Sequence, residues 1–220
     1  MKDIISEVRE LRHHLAALIA QHDELVFHVC PILENEYYRK TGNLEIRIQN
    51  RRYEIACLKR GVPAERESLI EEHSVRDDYP LTDAKTDAAL TEGYLVLVER
   101  LDPTVNVNGF ENKAALYERA RECYRDLDLT GIDILIHESR GIRMDESSDE
   151  GELHERIHLL NEAIRSRESE IDRIKNSFPY NQLELLLNEE KLSDRISEYE
   201  HLLDELNDEY DRLLSNRALQ

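Results

Sequence analysis

Two histidines stand four residues apart at His154 and His158, with Glu155 beside the first. On a helix this spacing turns both imidazoles to one side. They could share a zinc ion while the glutamate serves as general base for hydrolysis. The run His154-Glu155-Arg156-Ile157-His158 fits a plain coiled-coil surface better. Ile157 falls on a heptad seam, Arg156 charges a place that zinc hydrolases leave uncharged, and no third-ligand motif is visible. The expectation is therefore no catalysis, no cofactor and no resident metal.

Other reactive side chains are scattered. His13, His14, His22 and His28 lie near one another and near Cys30, but only His22 falls on a seam, where a lone histidine sets register or is tolerated. Arg47, Arg51, Arg52, Lys59 and Arg60 form a basic cluster, with Arg47 and Arg51 one helical turn apart. It reads as a solvated face or as pairing with acidic helices; the alternative is a phosphate or acidic-partner site. There is no glycine-rich phosphate loop, nucleophile elbow or Cys-x-x-Cys pair.

The segment from Tyr94 to Asp128 reads as helix, loop, helix. Leu95, Val98 and Leu101 mark one face of the first arm, and Leu116, Ala120, Cys123 and Leu127 one face of the second. Pro103 ends the first helix, and Asn106, Asn108 and Gly109 favour turns. The second arm carries Tyr117, Ala120, Cys123, Tyr124, Leu127 and Asp128. In these residues the segment resembles the core hairpin of a J-domain, whose loop holds a His-Pro-Asp tripeptide. Here the tripeptide is Asp102-Pro103-Thr104. In that family the tripeptide triggers ATP hydrolysis in a DnaK-type chaperone, helped by basic residues on the adjoining helix. This arm offers only Arg100, next to Glu99. The resemblance thus implies a degenerate module, which binds or supports rather than stimulates. Asp77-Asp78-Tyr79 extends it if it echoes the domain's opening. The whole chain is similar to a set of bacterial proteins in which such a segment lies between coiled-coil hairpins.

Long seams must carry this module. Ile4, Val8, Leu11, Leu15, Leu18, His22, Leu25 and Val29 alternate steps of four and three, and Pro31 interrupts them. Tyr37, Thr41, Leu44, Ile48, Arg51, Ile55 and Leu58 make a weaker second seam. Leu153, Ile157, Leu160, Ile164, Arg167, Ile171, Ile174 and Phe178 make a third. Leu185, Leu192, Ile196, Tyr199, Leu203, Leu206, Tyr210 and Leu213 make a fourth, after a break at Pro179. The short joint at Cys30-Pro31 permits either an antiparallel hairpin or a kinked long helix, and Ser177-Phe178-Pro179-Tyr180 a tight reversal or a kink. The reversal is preferred at both, at the first because the seam phase resets there. Ile132, Ile134, Leu135 and Ile136, after Thr130-Gly131, form a short apolar helix or strand that could cap the hairpin.

The predicted fold is all-α: two antiparallel coiled-coil hairpins flanking a small J-like helical module. Its parts are a first hairpin over 1–60, the module with its connector over 61–138, an acidic linker over 139–151 and a second hairpin over 152–220. Gly61, Pro63 and Pro80 punctuate the connector.

Composition narrows the function classes. Charged residues are 35% and aromatic ones 6%, as in a soluble helical chain. Acids outnumber bases 48 to 29, for a net charge of -19, which disfavours binding a phosphate backbone. No apolar run reaches the roughly 18 residues that a membrane span needs. Met1-Lys2-Asp3 leads into an amphipathic pattern rather than a secretory signal. Three scattered cysteines, Cys30, Cys57 and Cys123, make no disulfide framework, so a reducing cytoplasm is expected. Extra apolar flanks such as Leu186, Leu202 and Leu214 widen the stripes and suggest packing on another hairpin or on a second chain. A homodimer is the expected assembly, since symmetric pairing is the commonest solution for such stripes. The function expected is a non-catalytic protein-interaction scaffold with an unidentified protein partner. The alternatives are an accessory protein that docks a DnaK-type chaperone and, third, a zinc hydrolase.

Overall fold

The computed structural model describes residues 2–76, 83–107, 112–143 and 149–218. Asp77-Asp78-Tyr79, Pro80, Asn108, Gly109 and linker residues Met144, Asp145, Glu146, Ser147 and Ser148 lie outside them. The helices in chain order are α1 (Lys2–Glu24), α2 (Cys30–Tyr37), α3 (Asn43–Arg60), α4 (Ala84–Leu101), α5 (Lys113–Arg125), α6 (Leu129–Glu138), α7 (Glu150–Lys175), α8 (Leu183–Leu187) and α9 (Glu189–Ala218). No strand occurs among the described residues, so the all-α expectation holds, and 132–136 belongs to a helix.

Local chemistry accounts for the helix ends. Asp83 caps α4 by accepting from the amides of Lys85 and Thr86, each at 3.0 Å. Asp149 caps α7 through the Glu152 amide at 2.9 Å. α3 stops at Gly61, whose φ of 75° is a left-handed conformation that glycine adopts without penalty.

The reversal expected at Cys30-Pro31 does not occur. Two π-helical segments, Leu25–Val29 and Tyr38–Gly42, keep the backbone helical from Lys2 to Arg60. Proline lacks an amide hydrogen and crowds the carbonyl four residues back, and the wider π turn immediately before Pro31 relieves that crowding. Pairing also differs from that of consecutive-helix hairpins. α7 packs along α1, and α9 along α3. The chain divides into two units, Met1–Val29 with Pro80–Asn176 and Cys30–Tyr79 with Ser177–Gln220. The expected boundaries at 60 and 151 therefore each fall inside a unit.

In the first unit α4 packs on α5, α6 and α1, while α1 also packs on α7. Leu90, Tyr94, Leu97, Val98 and Leu101 of α4 are almost wholly buried, with Ala120, Tyr124, Ile132 and Leu135 around them. Because α1 meets two neighbours, it buries more than its seam: Val8 and Leu15, but also Arg12, Ala16, Ile19, Ala20 and Asp23.

In the second unit α3 and α9 run the same way: Glu45, near the start of α3, meets Tyr199, and Gly61, just past its end, meets Arg217. Lys59 pairs with Glu209 at 2.7 Å, Arg51 lies over the Tyr210 ring at 4.4 Å, and Arg217 donates to the Gly61 carbonyl at 3.2 Å. Glu45 accepts from the phenols of both Tyr37 and Tyr199. Ile48, Ile55, Leu192 and Leu203 fill the seam as their spacing requires. Part of the basic cluster is thus engaged within the unit: Arg51 also pairs with Glu54 at 2.9 Å.

Candidate functional site

The tripeptide loop is a helix cap. The Asp102 amide still bonds the Val98 carbonyl at 3.0 Å, closing α4. Its carboxylate then turns back over the loop. Oδ1 accepts from the Thr104 amide at 2.7 Å, from the Val105 amide at 3.3 Å and from the Thr104 hydroxyl. Tyr117 adds a hydrogen bond to the same carboxyl, and burial first, then this charge, pushes its phenol well above the ordinary tyrosine range. An aspartate supplies the acceptor that caps an exposed turn of amides. Asp102 is itself only 6% exposed.

The loop's carbonyls are also taken. The Asn106 amide bonds the Asp102 carbonyl at 2.9 Å. Arg156 of α7 donates from Nη2 to the Thr104 and Val105 carbonyls at 2.8 and 2.9 Å. Lys113 donates to the Asn106 carbonyl. The fully buried Asn106 side chain spans Arg100 and Arg143, donating to their carbonyls at 2.9 and 3.2 Å. Arg100, the one basic residue of the arm, turns onto the end of α6, with Nη1 3.3 Å from both the Ile136 carbonyl and the Ser139 hydroxyl.

The second-arm residues form its core. Ala120 and Tyr124 are buried, and Tyr117, Cys123 and Leu127 are half-buried against the same cluster. Tyr124 stacks on Tyr94 with ring centres 4.1 Å apart. Leu127 and Asp128 turn the chain. Leu127 takes the left-handed conformation at φ 57°, its amide bonding the Tyr124 carbonyl, while the Asp128 amide bonds the Cys123 carbonyl. These are the two bonds of a Schellman helix end. Asp128 then caps α6 through the Gly131 amide at 2.9 Å.

His154, Glu155 and His158 sit on the outer face of α7 and are exposed. His158 lies 3.7 Å from Glu162. Among the described residues, no three His, Cys, Asp or Glu side chains converge as a metal site would need. The residue of this run that does structural work is Arg156, with Ile157 half-buried against the core.

A second feature escaped the sequence reading. Asn35 on α2 and Asn43 and Asn50 on α3 each grip one residue of the segment after α3 by both main-chain groups. Asn50 accepts from the Ile70 amide and donates to the Ile70 carbonyl, both at 2.8 Å. Asn43 does the same with His73, both at 2.9 Å, and Asn35 with Arg76, at 2.8 and 2.9 Å. The segment runs antiparallel to the helix. The His73 ring also stacks on Tyr38 at 3.7 Å, tilted by 8°.

No family model, curated protein or solved structure matches this chain.

A signal for the asparagine row was present in the spacing. Steps of eight and seven separate the three residues, and helical asparagines recurring every two turns form a row. The step of eight hid it, because eight residues of α-helix rotate such a side chain about 80° off the row. The π segment Tyr38–Gly42 lies within that step and absorbs the extra residue.

Proposed function

We propose that this chain is a non-catalytic protein-interaction scaffold, in which paired helices hold a degenerate J-like hairpin as a structural joint. What carries the reading is the Arg156 contact with Thr104 and Val105. It is made by a helix outside the hairpin, and it engages two carbonyls of the loop. Asp102 supports the same view: it replaces a family histidine and acts as a cap for the loop's own amides.

The test adds the full chain to a DnaK-type chaperone and follows ATP turnover, while the same preparation, immobilised, is offered native cytoplasm. The reading expects no stimulation together with reproducible retention of a protein at fixed stoichiometry. Several-fold stimulation, or retention of no protein, overturns it.

A further inference from the structure

The row of Asn35, Asn43 and Asn50 reads main chain rather than side chains. Each carboxamide donates to the carbonyl and accepts from the amide of one residue, which an extended residue presents on one side. The bonded residues recur every third position, at 70, 73 and 76. Three residues per turn is the period of a polyproline II strand, and Leu69 enters the segment with φ -82° and ψ 138°, close to that conformation. The rises agree as well. Seven helical residues advance about 10.5 Å, and three polyproline II residues advance about 9.3 Å. The π segment keeps the first asparagine in phase with the other two.

Such a row sets a conformation and a register more than a sequence. The side chains of residues 69–76 add little. Leu69 and Val75 are half-buried, Ile70 is 49% exposed, and Glu71, Glu72 and Ser74 are exposed. The ring of His73 on Tyr38 is the one close side-chain contact of the central rung. A tie that merely routed the connector would need neither three matched rungs nor a helix adjusted to align them.

We propose, on the strength of the interaction reading, that this row is a docking groove for an extended segment of a protein partner, and that residues 69–76 fill it as a built-in competitor. The partner segment has amide hydrogens, hence no proline, at three positions spaced by three. It carries a flat side chain at the middle one to stack on Tyr38. Aliphatic residues stand one place before the first and the third, as Leu69 and Val75 do.

The probe is a fluorescent peptide of residues 66–76, titrated against the full chain carrying Ile70→Pro and His73→Pro. Proline suits the polyproline II backbone inferred for the segment and deletes the two amides that Asn50 and Asn43 accept from. Circular dichroism checks that the variant keeps its helices. The freed chain should bind the peptide at least about tenfold more tightly than the native chain, as expected when a competitor is removed. Adding Asn43→Leu should erase that gain. In the native chain, hydrogen exchange at the Ile70, His73 and Arg76 amides should be slow and should quicken with excess unlabelled peptide; this arm stands even if the proline variant misfolds. Absence of peptide binding by a folded, freed chain, or binding indifferent to Asn43→Leu, overturns the groove and leaves a structural tie only. A concentration-dependent dimer of the native chain that the two prolines dissolve puts a second copy's segment in the row and overturns the partner peptide. If the immobilised chain retains its protein undiminished by Asn43→Leu, the scaffold reading survives and the groove does not.

Discussion

The Tyr94 phenol donates to a carboxylate oxygen of Asp23 at 2.6 Å, and neither residue keeps more than 3% of its surface in solvent. Arg121 donates to the same oxygen at 3.3 Å, and His22 meets the other at 3.0 Å. Burial works to raise the Asp23 carboxyl. The bonds from His22 and Tyr94 and the Arg121 charge outweigh it and hold the group below the ordinary carboxylate range. Asp23→Ala would strand a buried phenol and a guanidinium, at an expected cost of about 3–5 kcal/mol. Tyr94→Phe removes one bond to a charged group, about 1.5–3 kcal/mol. Urea unfolding followed by circular dichroism measures both. Equal and negligible losses would show that the pair holds nothing together.

His28 gives the first unit a pH dependence. Nδ1 faces Glu24 at 2.9 Å, and Nε2 faces the carbonyls of Tyr124 and Arg125 at 3.0 and 3.3 Å. Both nitrogens meet acceptors, so the imidazolium satisfies both. Burial opposes that charge, but the Glu24 bond and charge and the two carbonyls outweigh it, raising His28 above 6.5. Its contribution is complete below 6.5 and fades as pH climbs through the raised folded value. Glu24, held below 4.5 chiefly by the His28 bond, contributes above 4.5 and fades as pH falls through its lowered value. Stability should therefore decline as pH rises from about 6.5 through the raised folded value of His28. The decline should flatten in His28→Gln, and an identical slope in that variant would remove His28 as its source.

Arg156 separates structure from metal chemistry on α7. Arg156→Ala leaves the Thr104 and Val105 carbonyls without these two charged donors and should destabilise by about 1.5–3 kcal/mol. His154→Ala and His158→Ala, both on the exposed face, should each stay within about 0.5 kcal/mol. Purified protein should carry far less than one zinc per chain. Zinc at one per chain, lost in either histidine variant, would reverse this assignment.

Periodicity exposed the helices and their apolar sides. Leu160, Ile164, Ile171, Leu192 and Leu203 are buried where heptad spacing places them. It did not expose who faces whom. A seam states that a helix wants a partner, and the neighbour in sequence is only the cheapest one entropically. Here α1 takes α7, and α3 takes α9, across long intervening segments. Pro31 misled because a π turn can accommodate a proline that an α-helix would not. Asp102 was visible as a departure from a tripeptide. Its partners were not, because Arg156 and Tyr117 reach it or its loop from elsewhere in the chain. The asparagine row stayed hidden for the reason that hid the continuity of the helix past Pro31: one inserted residue shifts the phase.

Gly93 marks a close approach of α4 to α6. A methyl group there would lie 2.6 Å from Ile132 Cγ2 and 3.4 Å from Ile136 Cδ1. Ile132 is fully buried and has little room to move. Alanine would gain roughly 1 kcal/mol of helix propensity, against an overpacking cost of about 1–3 kcal/mol. Gly93→Ala should thus be neutral to destabilising alone. Combined with Ile132→Ala it should cost clearly less than the two single losses added, the sign of a shared contact. Strict additivity would refute the contact.

The α3–α9 seam can be tested at Leu203 and Leu206. Leu203 is 7% exposed and Leu206 half-buried, on the side of α9 that also carries Tyr199 and Tyr210. Tyr199 reaches Glu45 and Tyr210 lies under Arg51, so this side faces α3. Aspartate at both sites would place carboxylates in the apolar seam. Together Leu203→Asp and Leu206→Asp should cost more than about 3 kcal/mol. Leu214→Asp, at a position already 41% exposed, serves as control and should change stability by less than about 0.5 kcal/mol. Because both helices belong to one unit of one chain, the midpoint of the double variant should not move with protein concentration. A midpoint rising with concentration would assign the seam to contacts between copies. Unchanged unfolding in the double variant would dismiss the seam altogether.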